Sequence, residues 1–147
     1  MSLRASSRVV PLRRTVTLPF TPVVTATFTP LYVAAMRFER TPGVLDALTR
    51  LRRCGLTLAV VANFDLTLHN RLEQLGLGSA FSTVVTPADA GAAKPDPRIF
   101  TLALDRLGVA PERALHIGDG AVDEAGAAAS GMNFAWTPIP QALAQLT

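Results

Sequence analysis

Gly43-Val44-Leu45-Asp46-Ala47-Leu48-Thr49-Arg50-Leu51-Arg52-Arg53-Cys54-Gly55 runs directly into Leu56-Thr57-Leu58-Ala59-Val60-Val61-Ala62-Asn63, and the change of pattern across Gly55 decides the fold class. Before it, Val44, Leu45, Leu48 and Leu51 recur at helical spacing, and Gly55 is the residue type that ends a helix. After it, residues 56–62 are almost continuously apolar, as in a parallel strand covered on both faces. A helix feeding such a strand is the repeating unit of an α/β protein. Cys54, the lone cysteine, falls at the helix end, so no disulfide forms within the chain and nothing argues for an oxidising compartment.

The same alternation continues downstream. Residues 66–75 read as a helix ended by Gly76, and 81–86 as a short strand. Residues 97–107 are a helix opened by Pro97, with Ile99, Leu102, Ala103 and Leu107 on one face. Residues 114–117 are a strand, 122–130 a helix of small residues, 133–136 a last strand and 139–146 a closing helix. Regular alternation predicts a parallel sheet with right-handed crossovers.

Upstream of Pro42 the character changes. Prolines at 11, 19, 22, 30 and 42, interleaved with Thr and Val, exclude a long helix. The net charge of +3 divides unevenly: residues 1–38 hold five arginines and no acid, whereas 39–147 hold nine bases against eleven acids. Residues 1–40 are therefore an irregular basic leader, and 41–147 the folded unit. The leader's arginine-rich composition also fits an organelle transit peptide, so cytoplasmic and mitochondrial locations both stay open. Residues 16–28 could instead supply an edge strand. With 147 residues, 49% of them hydrophobic, the chain has enough apolar content for one domain. The domain lacks the clustered bases and stacking aromatics of a nucleic-acid surface, and no apolar run approaches the roughly 20 residues that cross a bilayer.

Ligand sites in parallel sheets lie beyond the carboxyl ends of the strands. Three polar residues fall there: Asn63, Lys94 and Asp119. Lys94 is the only lysine, against thirteen arginines. In Ala93-Lys94-Pro95-Asp96-Pro97 it is a compact cation on a proline-stiffened turn, suited to holding a phosphate and neutralising a carboxylate. Asp119 leaves a strand end and Asp123 begins the next helix, so both carboxylates can face one hard cation. Mg²⁺ typically takes one or two protein carboxylates plus waters and phosphate oxygens. The competing role of both is helix capping, for which Glu124 serves as well as Asp123. Asn63 would offer amides to a phosphate. Asp65 reads as a helix cap, with a bolder reading as a nucleophile beside Thr67. His69 and His116 stand apart from any cysteine, which leaves a zinc site without ligands, and His116 reads as a core residue. Gly91-Ala92-Ala93-Lys94 has neither the spacing nor the trailing Ser/Thr of a P-loop.

Val60-Val61-Ala62-Asn63-Phe64-Asp65, Lys94-Pro95-Asp96-Pro97-Arg98-Ile99-Phe100, His116-Ile117-Gly118-Asp119, Gly126 and Gly131-Met132 together resemble the haloacid dehalogenase superfamily from Pro42 to about Thr137. The resemblance implies a Rossmann-like, three-layer hydrolase core, Mg²⁺, and phosphoryl transfer through an aspartyl-phosphate. It also implies a phosphorylated small molecule as substrate, Lys94 as catalytic, Asn63 and Lys94 as substrate-binding, and Asp119 and Asp123 as metal ligands. Three departures stand out. Ala62 replaces the family's phosphate-binding Ser/Thr. The metal loop has the shorter Gly-Asp-x-x-x-Asp spacing that the superfamily also uses. The first motif, an Asp-bearing strand, has no counterpart, because no Asp or Glu precedes Glu39. The expectation is a truncated or alternative form with an incomplete core, missing first motif and cap, and weak or no hydrolase activity. A non-catalytic module that keeps a phosphate and Mg²⁺ pocket is the alternative. The absent strand is central in such sheets, so both its neighbours would keep open edges unless residues 16–35 fill the gap, and an open edge favours self-association.

Overall fold

A computed structural model describes residues 39–40 and 42–136. Its elements are α1 (Val44–Arg53), β1 (Ala59–Val61), α2 (Leu68–Gln74), β2 (Thr83–Val85), α3 (Pro87–Ala90), α4 (Pro97–Leu107), β3 (Leu115–Gly118), α5 (Ala121–Ala129) and β4 (Asn133–Trp136), with single 3-10 turns at Gly78–Ala80 and Pro111–Arg113. α4 and β4 have the bounds the sequence predicts. The first strand is shorter than predicted: residues 56–58 approach it as irregular backbone, and only 59–61 form the ladder.

The strands pair in two parallel ribbons. β1 lies beside β2 in the register Val60↔Val84, and β3 beside β4 in the register His116↔Phe134. Among the described residues no ladder joins the two ribbons, so the expected continuous sheet is divided between β1 and β3. The apolar core nevertheless runs across the division. Val60, Ala62 and Val84 of the first ribbon's segment share one cluster with Leu115 and Ile117 of β3, under the apolar faces of α1 and α2. Alternate residues point the other way: Val61 and Val85 join Ile99, Phe100, Ala103 and Leu104 of α4, Ala127 of α5, and Met132. Helices thus cover both faces, and the architecture is a three-layer α/β core. Residues 1–38 of the leader, which include 16–35, and the closing helix at 139–146 lie outside the described residues.

α3 was not expected from the sequence, although its signals were present. Thr86 precedes Pro87, and Asp89 stands three residues after Thr86, which is a capping box with proline in the first turn. The fully buried Thr86 donates its main-chain N–H to Asp89 Oδ2 at 2.9 Å and its hydroxyl to the same oxygen at 2.8 Å. Gly91, with φ of 63°, ends the turn in the left-handed region and redirects the chain toward Lys94.

Candidate functional site

The irregular segments after β1, β2 and β3 bring three distant parts of the chain together. Asn63 leaves β1 and clasps the Lys94 backbone in both directions. Its side-chain amide donates to the Lys94 carbonyl at 3.0 Å, and its oxygen accepts the Lys94 N–H at 2.7 Å. A side-chain amide is one of the few groups that can donate and accept through adjacent atoms, so it substitutes for a strand partner here. The Lys94–Pro95 peptide is cis. Beyond it Asp96 caps α4, accepting the Arg98 N–H at 2.9 Å.

Held this way, Lys94 is buried, and its ammonium donates to Asp123 Oδ1 at 2.6 Å. Asp123 lies in the first turn of α5 and is itself buried. A second donor reaches the same oxygen from the sheet: His116 Nε2 lies 2.9 Å from Asp123 Oδ1. Burial alone would raise the Asp123 carboxyl, but the hydrogen bonds from His116 and Lys94 and the ammonium charge outweigh it and hold it at about 2. Burial pushes His116 the other way, below its ordinary value, against the opposing pull of Asp123. The imidazole is therefore neutral at pH 7, and its Nε2–H donates to an ionised carboxylate.

Both shifts give stability with the same sign. The unfolded chain takes up a proton on His116 below about pH 6.5 and on Asp123 below about pH 3.8, in each case before the folded chain does. Stability from these groups is complete above pH 6.5. It falls as pH drops, and the Asp123 part is lost on the way down to pH 2. Denaturant unfolding between pH 7 and 2 should show Asp123→Asn losing its deficit against the wild type across pH 4 to 2.

Asp123 Oδ2 makes no hydrogen bond to any described residue. It faces the loop that carries Asp119, 3.0 Å from where a Cβ on Gly118 would stand and 3.4 Å from one on Gly120. An orphaned, buried carboxylate oxygen beside the exposed Asp119 fits a hard cation. Among the described residues no three His, Cys, Asp or Glu are grouped to enclose an ion, so water and substrate would complete its shell, as Mg²⁺ tolerates.

Other sequence candidates separate from this cluster. Asp65 Oδ1 accepts both the main-chain N–H of Thr67 at 2.8 Å and its hydroxyl at 2.5 Å, a local turn ahead of α2. Asp65 therefore closes a turn rather than capping the helix as expected: α2 starts beyond it at Leu68, two residues later than predicted, with Thr67 at its N-cap and no side-chain cap hydrogen bond. Cys54 is an exposed residue at the end of α1. His116, read from sequence as core, is in the core and also in the site. The available signal was its position on β3 three residues before Asp119, which follows the strand end.

The sequence and the fold match known proteins. A family model described as haloacid dehalogenase-like hydrolase covers residues 12–131. The chain belongs to the haloacid dehalogenase-like hydrolases. The match reaches further upstream than Pro42, where the motif resemblance begins. Human haloacid dehalogenase-like hydrolase domain-containing protein 3 is 44% identical over 102 residues, covering 69% of this chain and 41% of that protein. The phosphoserine phosphatase of Thermus thermophilus is 38% identical over 102 residues, covering 68% and 41%. Among solved structures, a haloacid dehalogenase-family phosphatase from Thermococcus onnurineus superposes with a TM-score of 0.65 at 34% identity, covering 67% of this chain and 46% of that one. The chain spans about two fifths of the length of these curated relatives.

Proposed function

We propose that this haloacid dehalogenase-like chain carries the phosphate-gripping and Mg²⁺-holding part of a phosphatase-type site and turns over phosphate esters weakly or not at all as the 147-residue chain. The observation that carries the reading is the buried Lys94–Asp123 contact of 2.6 Å at the carboxyl ends of the strands, shared with His116 and held by Asn63. An ordinary surface lysine is solvated. This one is buried beside an acid whose second oxygen is left open.

In this reading Lys94 is the catalytic cation. Asp123 takes one of its three N–H donors, and a phosphoryl oxygen would take another. Asp119 and Asp123 Oδ2 would hold Mg²⁺, which supplies charge neutralisation at the transferring phosphate. Asn63 serves substrate binding mainly through Lys94, since its side chain is committed to the Lys94 backbone. Ala62 brings no hydroxyl to the phosphate. Phosphoserine, glyceraldehyde 3-phosphate and pyrophosphate, named for relatives of this chain, all present a terminal phosphate, so a phosphorylated small molecule is the substrate class supported best.

The weak turnover follows from the carboxylates. An aspartyl-phosphate mechanism requires an attacking carboxylate in line with the phosphate. No Asp or Glu lies before Glu39, and Asp65 is engaged by Thr67. With p-nitrophenyl phosphate and Mg²⁺, hydrolysis by this chain should stay near background, while calorimetry should detect phosphate binding that disappears in Lys94→Ala. Turnover abolished by Asp65→Asn would overturn the weak-activity reading, and binding unchanged in Lys94→Ala would overturn the site.

A further inference from the structure

We infer that His116 is a positioning residue, which fixes the Asp123 carboxylate so that one oxygen serves Lys94 and the other stays turned to the Asp119 loop. This rests on the reading of Asp119 and Asp123 as Mg²⁺ ligands and adds a residue that the motifs do not assign.

Two donors from separate elements meet on a single oxygen of Asp123: the Lys94 ammonium from the loop ahead of α4, and the His116 ring from β3. The terminal torsion of an aspartate is broad and roughly two-fold, so one contact would leave the two oxygens free to exchange. The second contact removes that freedom. It also costs the lysine nothing, because a carboxylate oxygen accepts more than one hydrogen bond.

The histidine is itself held. Its ring is fully buried, with Phe100 meeting it edge-on at 4.9 Å between centroids and Phe134 stacked at 6.0 Å. Trp136 stands edge-on to Phe134 at 5.2 Å, so the ring column runs from α4 through β3 to β4. Phe100 also packs against Gly126 of α5, where a side chain would collide with its ring. The residue that orients His116 therefore also sets the distance of the helix bearing Asp123. An apolar side chain in place of His116 could fill the volume between Phe100 and Phe134. It could not hold the carboxylate.

The geometry requires the Nε2–H tautomer, because the acceptor is ionised. ¹⁵N NMR of the wild-type chain should show that tautomer for His116, and an Nδ1–H tautomer would overturn the inference without any variant. Calorimetry with Mg²⁺ then separates holding from filling. His116→Phe should bind Mg²⁺ about 10- to 100-fold more weakly, the usual loss when a residue orienting a metal ligand is removed. His116→Gln, whose amide can donate to the same oxygen, should recover most of that loss. Equal affinity in wild type and His116→Phe would overturn this inference and leave the metal reading standing. A wild-type chain that takes up no Mg²⁺ would overturn both. If His116→Phe does not fold, the tautomer and the affinity of His116→Gln decide.

Discussion

Replacing Lys94 by Met should lower the unfolding free energy by about 3–5 kcal/mol and remove phosphate binding, the largest effect expected of any single substitution here. The cost comes less from the lost attraction than from what is left behind. Asp123 is buried, and burial is the one influence that raises its carboxyl; without the ammonium, only His116 opposes it. The Asp123 carboxyl should therefore rise in the variant, and the deficit should be greatest where the wild-type group is fully ionised, above about pH 4. A paired replacement distinguishes the two meanings of this contact. Exchanging a buried ion pair for apolar side chains of similar volume is often neutral or stabilising. Lys94→Met with Asp123→Leu should therefore regain much of the stability lost by Lys94→Met alone, while phosphate and Mg²⁺ binding stay absent. A pair that stability does not require is retained for its chemistry. Denaturant unfolding of the single and double variants reads the stability arm and calorimetry the binding arm. A double variant at least as unstable as Lys94→Met would show the pair to be a structural element of the fold.

The division between what the sequence displays and what it hides follows the range of the interactions. Helices show through local periodicity and punctuation: Pro97 and Gly108 bracket α4, and Val44, Leu48 and Leu51 mark the buried stripe of α1. The alternation of helix and apolar strand carries the fold class, and the carboxyl-end rule carries Asn63, Lys94 and Asp119 to one region. The roles within that region depend on contacts between different elements, 29 to 31 residues apart for Lys94 and 7 apart for His116, which no local pattern encodes. Asn63 looks like a phosphate donor until its amide is seen to close on the Lys94 backbone. His116 looks like core because it is core, and its second role appears only when α5 returns Asp123 to β3. The division of the sheet between β1 and β3 has the same origin, since strand pairing is set by tertiary context and apolar runs do not specify their neighbours.

Gly118→Ala should disable the site from a position that carries no functional group. A Cβ there would stand 2.5 Å from Asp123 Cβ and 2.6 Å from its Cγ, inside any tolerable contact. The backbone cannot easily yield, because Gly118 closes the β3 ladder opposite Trp136. Nor can Asp123 swing aside without leaving Lys94 and His116, which both hold its Oδ1. Overpacking of this kind costs about 1–3 kcal/mol, and displacing Asp123 adds part of the buried-pair loss. Mg²⁺ affinity should fall with stability, since the displaced carboxylate no longer presents Oδ2 to the Asp119 loop. Gly120→Ala, two residues on, is the control. Its added Cβ would come no closer than 3.4 Å to Asp123 Oδ2, and its backbone, with φ of −124°, suits any residue. A stability change of about 1 kcal/mol or less is expected there, the loss typical of alanine at a helix N-cap. Two equally mild substitutions would mean that Asp123 can move while keeping its partners, and that close packing against Gly118 does not hold the carboxylate in place.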